Sequence, residues 1–158
     1  MAGATVTMSE YYTPADRLEE IARRCQAGEP LAPDHFNWLG AAIESYLGKA
    51  TGSLEEALGL RYGRGGVPWW REKELRERDD ALRKLAETFF ADLGLCKRSG
   101  EISKLALHYG ASAWRHDRDG RDMPEAYAGT PREYLWRAFR SGAAMPLSER
   151  QVRNIVGG

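Results

Sequence analysis

The 158-residue sequence has little cysteine, little histidine and no long apolar run. Its two cysteines, Cys25 and Cys96, are far apart and show no Cys-x-x-Cys or Cys/His spacing, which argues against zinc and redox motifs. We expect both to be buried free thiols in a reducing cytosol, which favours a cytoplasmic protein. No apolar stretch approaches the roughly 18 residues of a transmembrane helix, and we expect neither a membrane partner nor a secretory signal.

Neither positive nor negative charge is in excess, since 23 Lys and Arg residues balance 23 Asp and Glu residues. That balance argues against a polycation that coats nucleic acid through bulk charge and against an acidic disordered tail. The distribution is uneven, however. Residues 1–96 hold 12 basic and 16 acidic side chains, whereas residues 97–158 hold 11 basic and 7 acidic ones. The C-terminal part therefore favours an acidic partner, although an Arg-rich composition is equally typical of a GC-rich genome.

Signals for helix starts and stops recur along the chain, and no segment shows the period-two alternation of a strand. Capping-box patterns begin at Ser53, Thr130 and Ser148, and Thr13-Pro14 resembles another cap. The predicted helices cover residues 13–28, 33–47, 53–59, 69–93, 101–118, 130–142 and 148–156.

This punctuation predicts an all-α protein of six or seven helices in orthogonal or bundle-like packing. We predict a single domain over residues 1–158. Two sub-lobes, 13–60 and 69–158, form an alternative division, with the Gly-rich segment 62–68 as a flexible connection.

Two helical faces have predicted roles. The charged first half of the long helix, residues 71–80, mixes signs at spacings of three and four, which is typical of a solvated, self-paired face. The second predicted helix carries an apolar stripe that we expect to face the core, formed by Phe36, Leu39, Ile43 and Leu47.

Residues 105–112 match the first half of a helix-turn-helix motif, L-A-x-x-x-G-x-S. The positions that should seat the second helix fall on residues 115–120, which are all polar. We therefore favour a single helix that tolerates Gly110.

After the partial helix-turn-helix match, the last 28 residues give a second candidate site for nucleic acid. Arg150, Arg153 and Asn154 are predicted to project from the terminal helix, where Arg and Asn side chains can read base edges. Arginines of the preceding helix can meet phosphates, and Arg115 and Arg118 lie among aromatic residues, as in single-strand binding surfaces. The alternative is a C-terminal helical clasp with ordinary surface arginines. The full set of candidate contact residues is Arg115, Arg118, Arg132, Arg137, Arg140, Arg150, Arg153 and Asn154.

Evidence for catalysis or a metal site is weak. Residues 117–122 resemble a calcium loop, but the acids alternate with arginines and the later ligands are out of register. We expect no metal and no cofactor. An enzyme would need His108 or His116 beside an acid or thiol in a pocket, and neither histidine has such a neighbour in a recognisable motif. Catalysis is the least favoured hypothesis.

Several short segments resemble a group of short, Arg-rich helical bacterial proteins with no assigned activity. The segments are 56–60 (EALGL), 78–82 (RDDAL), 112–115 (SAWR), 129–133 (GTPRE) and 146–151 (PLSERQ). The resemblance covers roughly the last hundred residues. It implies a compact helical fold and carries no function or site residue to this chain.

We therefore expect a non-catalytic interaction module that binds nucleic acid or a nucleoprotein through its Arg-rich C-terminal half. The competing hypothesis is a protein-binding adaptor or inhibitor of the phage or mobile-element type. In that case Trp69 and Trp70, beside the loop 62–68, are the candidate interface anchors, because Trp is enriched at binding hot spots. The sequence does not fix the oligomeric state.

Overall fold

The computed structural model describes residues 13–146 and 148–158, and these residues form helices without any strand. The predicted all-α class is confirmed. A 3₁₀ turn covers Glu125–Tyr127. The α-helices of the described residues are α1 Pro14–Ala27, α2 Pro33–Leu47, α3 Leu54–Ala57, α4 Trp69–Phe89, α5 Leu95–Ala111, α6 Trp114–Asp117, α7 Pro131–Arg140 and α8 Glu149–Val156.

The chain divides into two compact units at the start of α4. One unit ends at Trp69, and the other is Trp70–Gly158. The division falls beside the Gly-rich segment 62–68, where the alternative division into sub-lobes was predicted. The single domain stays a prediction. Among the described residues, no helix has the length and apolar character needed to cross a bilayer.

Local capping explains the helices of the first unit. The Thr13 hydroxyl accepts a hydrogen bond from the Asp16 amide, and the Asp16 carboxylate accepts one from the Thr13 amide, so α1 opens on a reciprocal capping box. Gly28 ends α1 at φ 68°, a left-handed conformation that favours glycine. α2 begins at Pro33, as its sequence predicts.

The predicted inner stripe of α2 is wrong. Phe36 is 60% exposed, Ile43 42% and Leu47 72%, while Leu39 is half-buried. The helix instead buries Ala42 and half-buries Trp38, over whose ring the Arg17 guanidinium lies 5.2 Å from the centroid. The more buried side of α2 therefore carries Trp38, Leu39 and Ala42. Phe36, Ile43 and Leu47 face outward.

Both cysteines are exposed free thiols, so the expectation of buried thiols is wrong. Cys25 lies in the last turn of α1, beyond the buried Ala15 and Ile21. Cys96 lies in the first turn of α5, where burial begins only at Ser99.

A compact turn separates α4 from α5. α4 ends at Phe89 instead of Leu93, and α5 begins at Leu95 instead of Glu101. Arg98 explains the early stop, because its guanidinium donates hydrogen bonds to the Phe90, Ala91 and Leu93 carbonyls at 2.9–3.1 Å. These bonds satisfy carbonyls that a longer helix would otherwise bond internally.

The predicted helix 101–118 divides into α5 and α6 at Ser112, which leaves the helical region at φ −118° and ψ −94°. This division gives eight α-helices in the described residues where six or seven were predicted. Gly110 lies inside α5, and a Cβ there would come 3.1 Å from the Phe139 ring. Gly110 therefore permits a close approach of α7 and does not form the turn.

The core of the second unit joins α4, α5, α7 and α8. Its largest fully buried apolar side chains are Leu82, Leu85, Ile102, Leu135 and Val152. The charged half of α4 is self-paired as predicted, for example Arg71 with Glu74 at 3.0 Å.

The predicted capping boxes differ in detail. Ser148 and Gln151 form a complete box at α8. The predicted box at α7 is wrong, because Thr130 donates its hydroxyl to the Tyr127 carbonyl and Glu133 accepts from the Gly129 amide. At α3, Ser53 caps the Glu56 amide, while the Glu56 carboxylate accepts from the Gly52 amide.

Replacing Arg98 by Met tests the turn between α4 and α5. The variant keeps an apolar stem but loses the hydrogen bonds to three carbonyls, so we expect a loss of about 2 kcal/mol in the free energy of unfolding. Urea unfolding followed by circular dichroism measures it. Lys97→Met is the matched control, since Lys97 is exposed and should change stability by less than about 0.5 kcal/mol. Equal losses in both variants would contradict the role of Arg98.

Candidate nucleic-acid interface

α8 holds the outward-facing polar residues predicted at the C-terminus. Its capping box fixes the start of the helix, and Val152 is fully buried on its inner side. Arg150, Arg153 and Asn154 are all exposed, as predicted. The short helix therefore presents three hydrogen-bonding side chains on its open side.

Small residues let α8 pack closely on α5. Ser99, Gly100 and Ser103 are buried in α5, and a Cβ on Gly100 would lie 3.5 Å from the Glu149 carboxylate of α8. The Ser99 hydroxyl donates to the Leu95 carbonyl at 2.7 Å, so its burial leaves no unpaired donor. This packing seats α8 as a helix backed by the core.

A second contact joins α8 to α4. The Arg83 guanidinium donates to the Ile155 carbonyl at 3.0 Å and pairs with Asp80 at 2.9 Å. Because the Ile155 carbonyl belongs to the last turn of α8, this bond satisfies an acceptor at a helix end. Sequence reasoning missed this anchor, since the two residues are 72 positions apart.

The two arginines of α8 differ in their surroundings. Arg153 lies beside the first turn of α5, with a guanidinium nitrogen 3.6 Å from the Cys96 sulfur. Arg150 makes no ion pair with any residue that the structure describes. Asn154 lines a cavity of about 430 Å³ together with Gln151 and Arg78. Amides and a guanidinium thus border one recess at this end of α8.

The arginines of α7 are committed to neighbours. Arg132 lies over the Tyr127 ring at 5.5 Å, and Arg140 lies over the Trp136 ring at 5.8 Å. Arg137 pairs with Glu133 at 2.6 Å. Partial neutralisation and stacking weaken the case for these three as free phosphate ligands, in contrast to Arg150.

A groove between α4 and α7 collects two of these arginines. Its volume is about 340 Å³, and Arg137 and Arg140 line it with Trp136. Lys84, Glu77 and Asp80 line the same groove, so its charge is mixed. The groove places cations beside an aromatic ring, but its carboxylates would repel the phosphates of a nucleic acid.

The remaining candidates are scattered. Arg115 is exposed on α6, and Arg118 lies 3.8 Å from the exposed Asp119. The Arg118 carbonyl accepts a hydrogen bond from Arg140 at 3.2 Å, which links the end of α6 to α7. Trp69 is half-buried and Trp70 is 47% exposed.

The three histidines differ in their exposure. His108 and His116 are exposed, and neither lines the two cavities above. His35 is half-buried on α2. Within residues 13–146 and 148–158, no group of three or more His, Cys, Asp or Glu side chains is placed to hold a metal ion.

Asp117 has a structural role that sequence reasoning missed. Its carboxylate accepts hydrogen bonds from the buried Tyr109 hydroxyl at 2.8 Å and the buried Tyr127 hydroxyl at 2.9 Å. Burial raises the pKa of Tyr109 far above its ordinary value, and the bond to Asp117 raises it further. The same two causes raise the pKa of Tyr127. The first acid of the calcium-loop-like segment 117–122 therefore serves as a hydrogen-bond acceptor for two tyrosines.

No protein-family model matches the chain, no curated protein matches its sequence, and no solved structure matches its fold.

The tyrosine pair predicts a loss of stability at alkaline pH. An unfolded tyrosine ionises near pH 10, whereas Tyr109 and Tyr127 hold their protons to higher pH in the folded protein. Stability is therefore unaffected by these groups below about pH 10 and falls above it, because the unfolded chain then loses protons that the folded chain keeps. Urea midpoints between about pH 8 and pH 11 measure this fall.

Tyr127→Phe should make the alkaline fall shallower than in the unsubstituted protein, because one raised pKa is removed. Tyr46→Phe is the matched control, since Tyr46 is 45% exposed. An equally shallow fall in the Tyr46→Phe variant would contradict the assignment to the pair around Asp117.

Proposed function

We propose that this protein is a non-catalytic interaction module that binds nucleic acid, alone or in a nucleoprotein, through α8 and the basic helices around it. The observation that carries the proposal is the open side of α8, where Arg150, Arg153 and Asn154 stand exposed on a capped helix seated by Val152. Arg supplies bidentate contacts to phosphate or guanine, and Asn to adenine.

The charge of the second unit supports this proposal. α5 and α8, which pack on each other, carry five basic and two acidic residues, whereas α4, which also contacts α8 through Arg83, carries six of each. An Arg-built local site needs no net charge on the whole chain, because only the charges within about a Debye length of the phosphates contribute strongly. α8 therefore has a basic setting in spite of the neutral total.

The two exposed cysteine thiols fit a reducing compartment. We place the protein in the cytoplasm on that ground, where nucleic acid is accessible.

A second candidate function is a protein-binding adaptor or inhibitor, of the kind a phage or mobile element would encode. The exposed apolar residues of α2 favour it, since soluble proteins rarely expose several large apolar side chains on one helix without a partner. Trp70 stays the predicted anchor of this alternative, because its ring is half exposed.

Salt-titrated binding tests the nucleic-acid proposal. Fluorescence anisotropy with labelled duplex DNA, single-stranded DNA and RNA should show affinity at about 50 mM salt that falls steeply with added salt. Arg150→Ala with Arg153→Ala should lower the slope of log affinity against log salt by about 1.4 to 1.8, because two phosphate contacts are lost. Absence of binding at low salt would refute the proposal.

The matched control carries the same change in net charge. Arg23→Ala with Arg61→Ala removes two exposed arginines that pair with glutamates in the first unit, and it should leave the slope unchanged. An equal loss in this control would show that bulk charge and not α8 governs binding. Asn154→Ala should instead reduce discrimination between sequences while the salt slope stays constant.

A further inference from the structure

The cavity beside α8, which we call the α8 recess, combines apolar walls with amide groups. Its volume of about 430 Å³ lies within the roughly 300–1,000 Å³ that small-ligand pockets have. Met145, Pro146 and Ile155 line it with apolar surface, and Gln151 and Asn154 line it with carboxamides. A planar, uncharged group with hydrogen-bonding atoms on its edge suits such a lining.

The carboxamide of Asn154 can bond a ligand in the α8 recess. Asn154 is exposed, and its side chain makes no hydrogen bond to any residue in the described part of the chain. The Gln151 side-chain oxygen, in contrast, accepts a hydrogen bond from the Ser148 amide at 3.1 Å as part of the capping box. An asparagine carboxamide presents one acceptor and two donor hydrogens, which match the donor and acceptor atoms along a base edge.

The carboxylates close to the recess are paired with arginines. Arg78 lines the recess and pairs with Asp79 at 2.6 Å. Arg83, which bonds the Ile155 carbonyl, pairs with Asp80 at 2.9 Å. Each guanidinium therefore offsets a carboxylate, and the walls of the recess carry little net charge.

Arg150 adds a cation at the edge of the recess. It precedes Asn154 by four positions in α8, so the two side chains are neighbours on one face of the helix, about 5–6 Å apart at their Cβ atoms. Arg150 makes no ion pair with a residue that the structure describes. One nucleotide can therefore place its phosphate at Arg150 and its base at Asn154.

The other two charged residues of α8 lie away from the recess. The Glu149 carboxylate faces α5, where a Cβ on Gly100 would lie 3.5 Å from it. The Arg153 guanidinium lies 3.6 Å from the Cys96 sulfur, also on α5. Neither residue lines the recess, so Glu149 does not oppose a phosphate there.

We propose that the α8 recess takes up one unstacked base of a single-stranded nucleic acid, with the phosphate at Arg150 and the base edge at Asn154. This inference rests on the proposed nucleic-acid function and narrows its ligand. Pairing and stacking cover the edges and faces of a base inside a duplex, whereas a base of a single strand can leave the stack and enter a concave site.

Strands without bases test the recess. The probes are a labelled single-stranded DNA of about 12 nucleotides, an abasic strand of the same length and charge, and the duplex of the first strand. In fluorescence anisotropy at about 50 mM salt, the full-length protein should bind the base-bearing strand at least about ten-fold more tightly than either of the others. Equal affinity for the base-bearing and abasic strands, or tighter binding of the duplex, would overturn the inference.

Filling the recess locates the site. Ala144 lines the recess and is exposed, so Ala144→Leu should fill part of the space and reduce the ten-fold preference for bases to about two-fold or less. The salt slope should stay constant, because no phosphate contact is lost. Ala111→Leu is the matched control, since Ala111 is exposed at the end of α5 and does not line the recess. An equal loss in the control would refute a site in the recess.

Asn154→Ala tests the base contact separately. It should weaken binding of the base-bearing strand about five-fold or more and leave the abasic strand unchanged. An equal loss on both strands would contradict the contact between Asn154 and a base. Circular dichroism melting of each variant serves as the fold control.

The same comparison with RNA strands distinguishes the two kinds of single strand. A base-dependent gain in DNA or in RNA supports the recess, and a gain in neither overturns it. The two proposals also fail separately. Absence of binding to every strand at low salt would refute nucleic-acid binding through α8 altogether, whereas salt-dependent binding without a base-dependent gain would refute the recess alone.

Discussion

The second unit depends on one half-buried carboxylate, that of Asp117. Asp117 accepts both tyrosine hydroxyls, Tyr109 from α5 and Tyr127 from the 3₁₀ turn, and so ties the segment after α5 to the core. Tyr109 packs edge-on against Phe139 at 5.3 Å, which extends the same cluster to α7. Without an acceptor, two buried hydroxyls would each lose a hydrogen bond to water with no replacement. The polar loop 118–124 can remain irregular because both of its ends are fixed by this network.

The contacts around this network also distinguish the arginines of α7 from those of α8. The arginines of α7 stack on neighbouring aromatic rings, as Arg132 does on Tyr127. These contacts hold the guanidinium groups in place. α8 packs on α5 through small residues and buries Val152 in the same core, while Arg150 and Arg153 stay exposed on its other side.

Helix starts could be predicted from sequence because they depend on neighbours in the chain. Thr13, Pro33 and Ser148 each mark a helix start where their local chemistry predicts it. The stop of α4 could not be predicted, because it depends on the Arg98 side chain reaching back from the next helix. The outward face of α2 was also inaccessible, since periodicity identifies an apolar stripe but does not identify what covers it. For the candidate site, the exposure of α8 follows from its sequence, whereas the stacking of the α7 arginines requires tertiary structure.

Net neutrality of the chain conceals two kinds of unpaired charge. Exposed carboxylates without an ion pair to a described residue include Glu44 on α2, Glu87 on α4 and Glu149 on α8. Exposed guanidinium groups without one include Arg64, Arg115, Arg121 and Arg150. Surface charges that fold into local pairs contribute little to binding, because their fields cancel within a few ångströms. The unpaired ones act at longer range and steer opposite partners. A neutral protein can therefore carry a local surface suited to phosphate, such as the open side of α8 with Arg150 and Arg153.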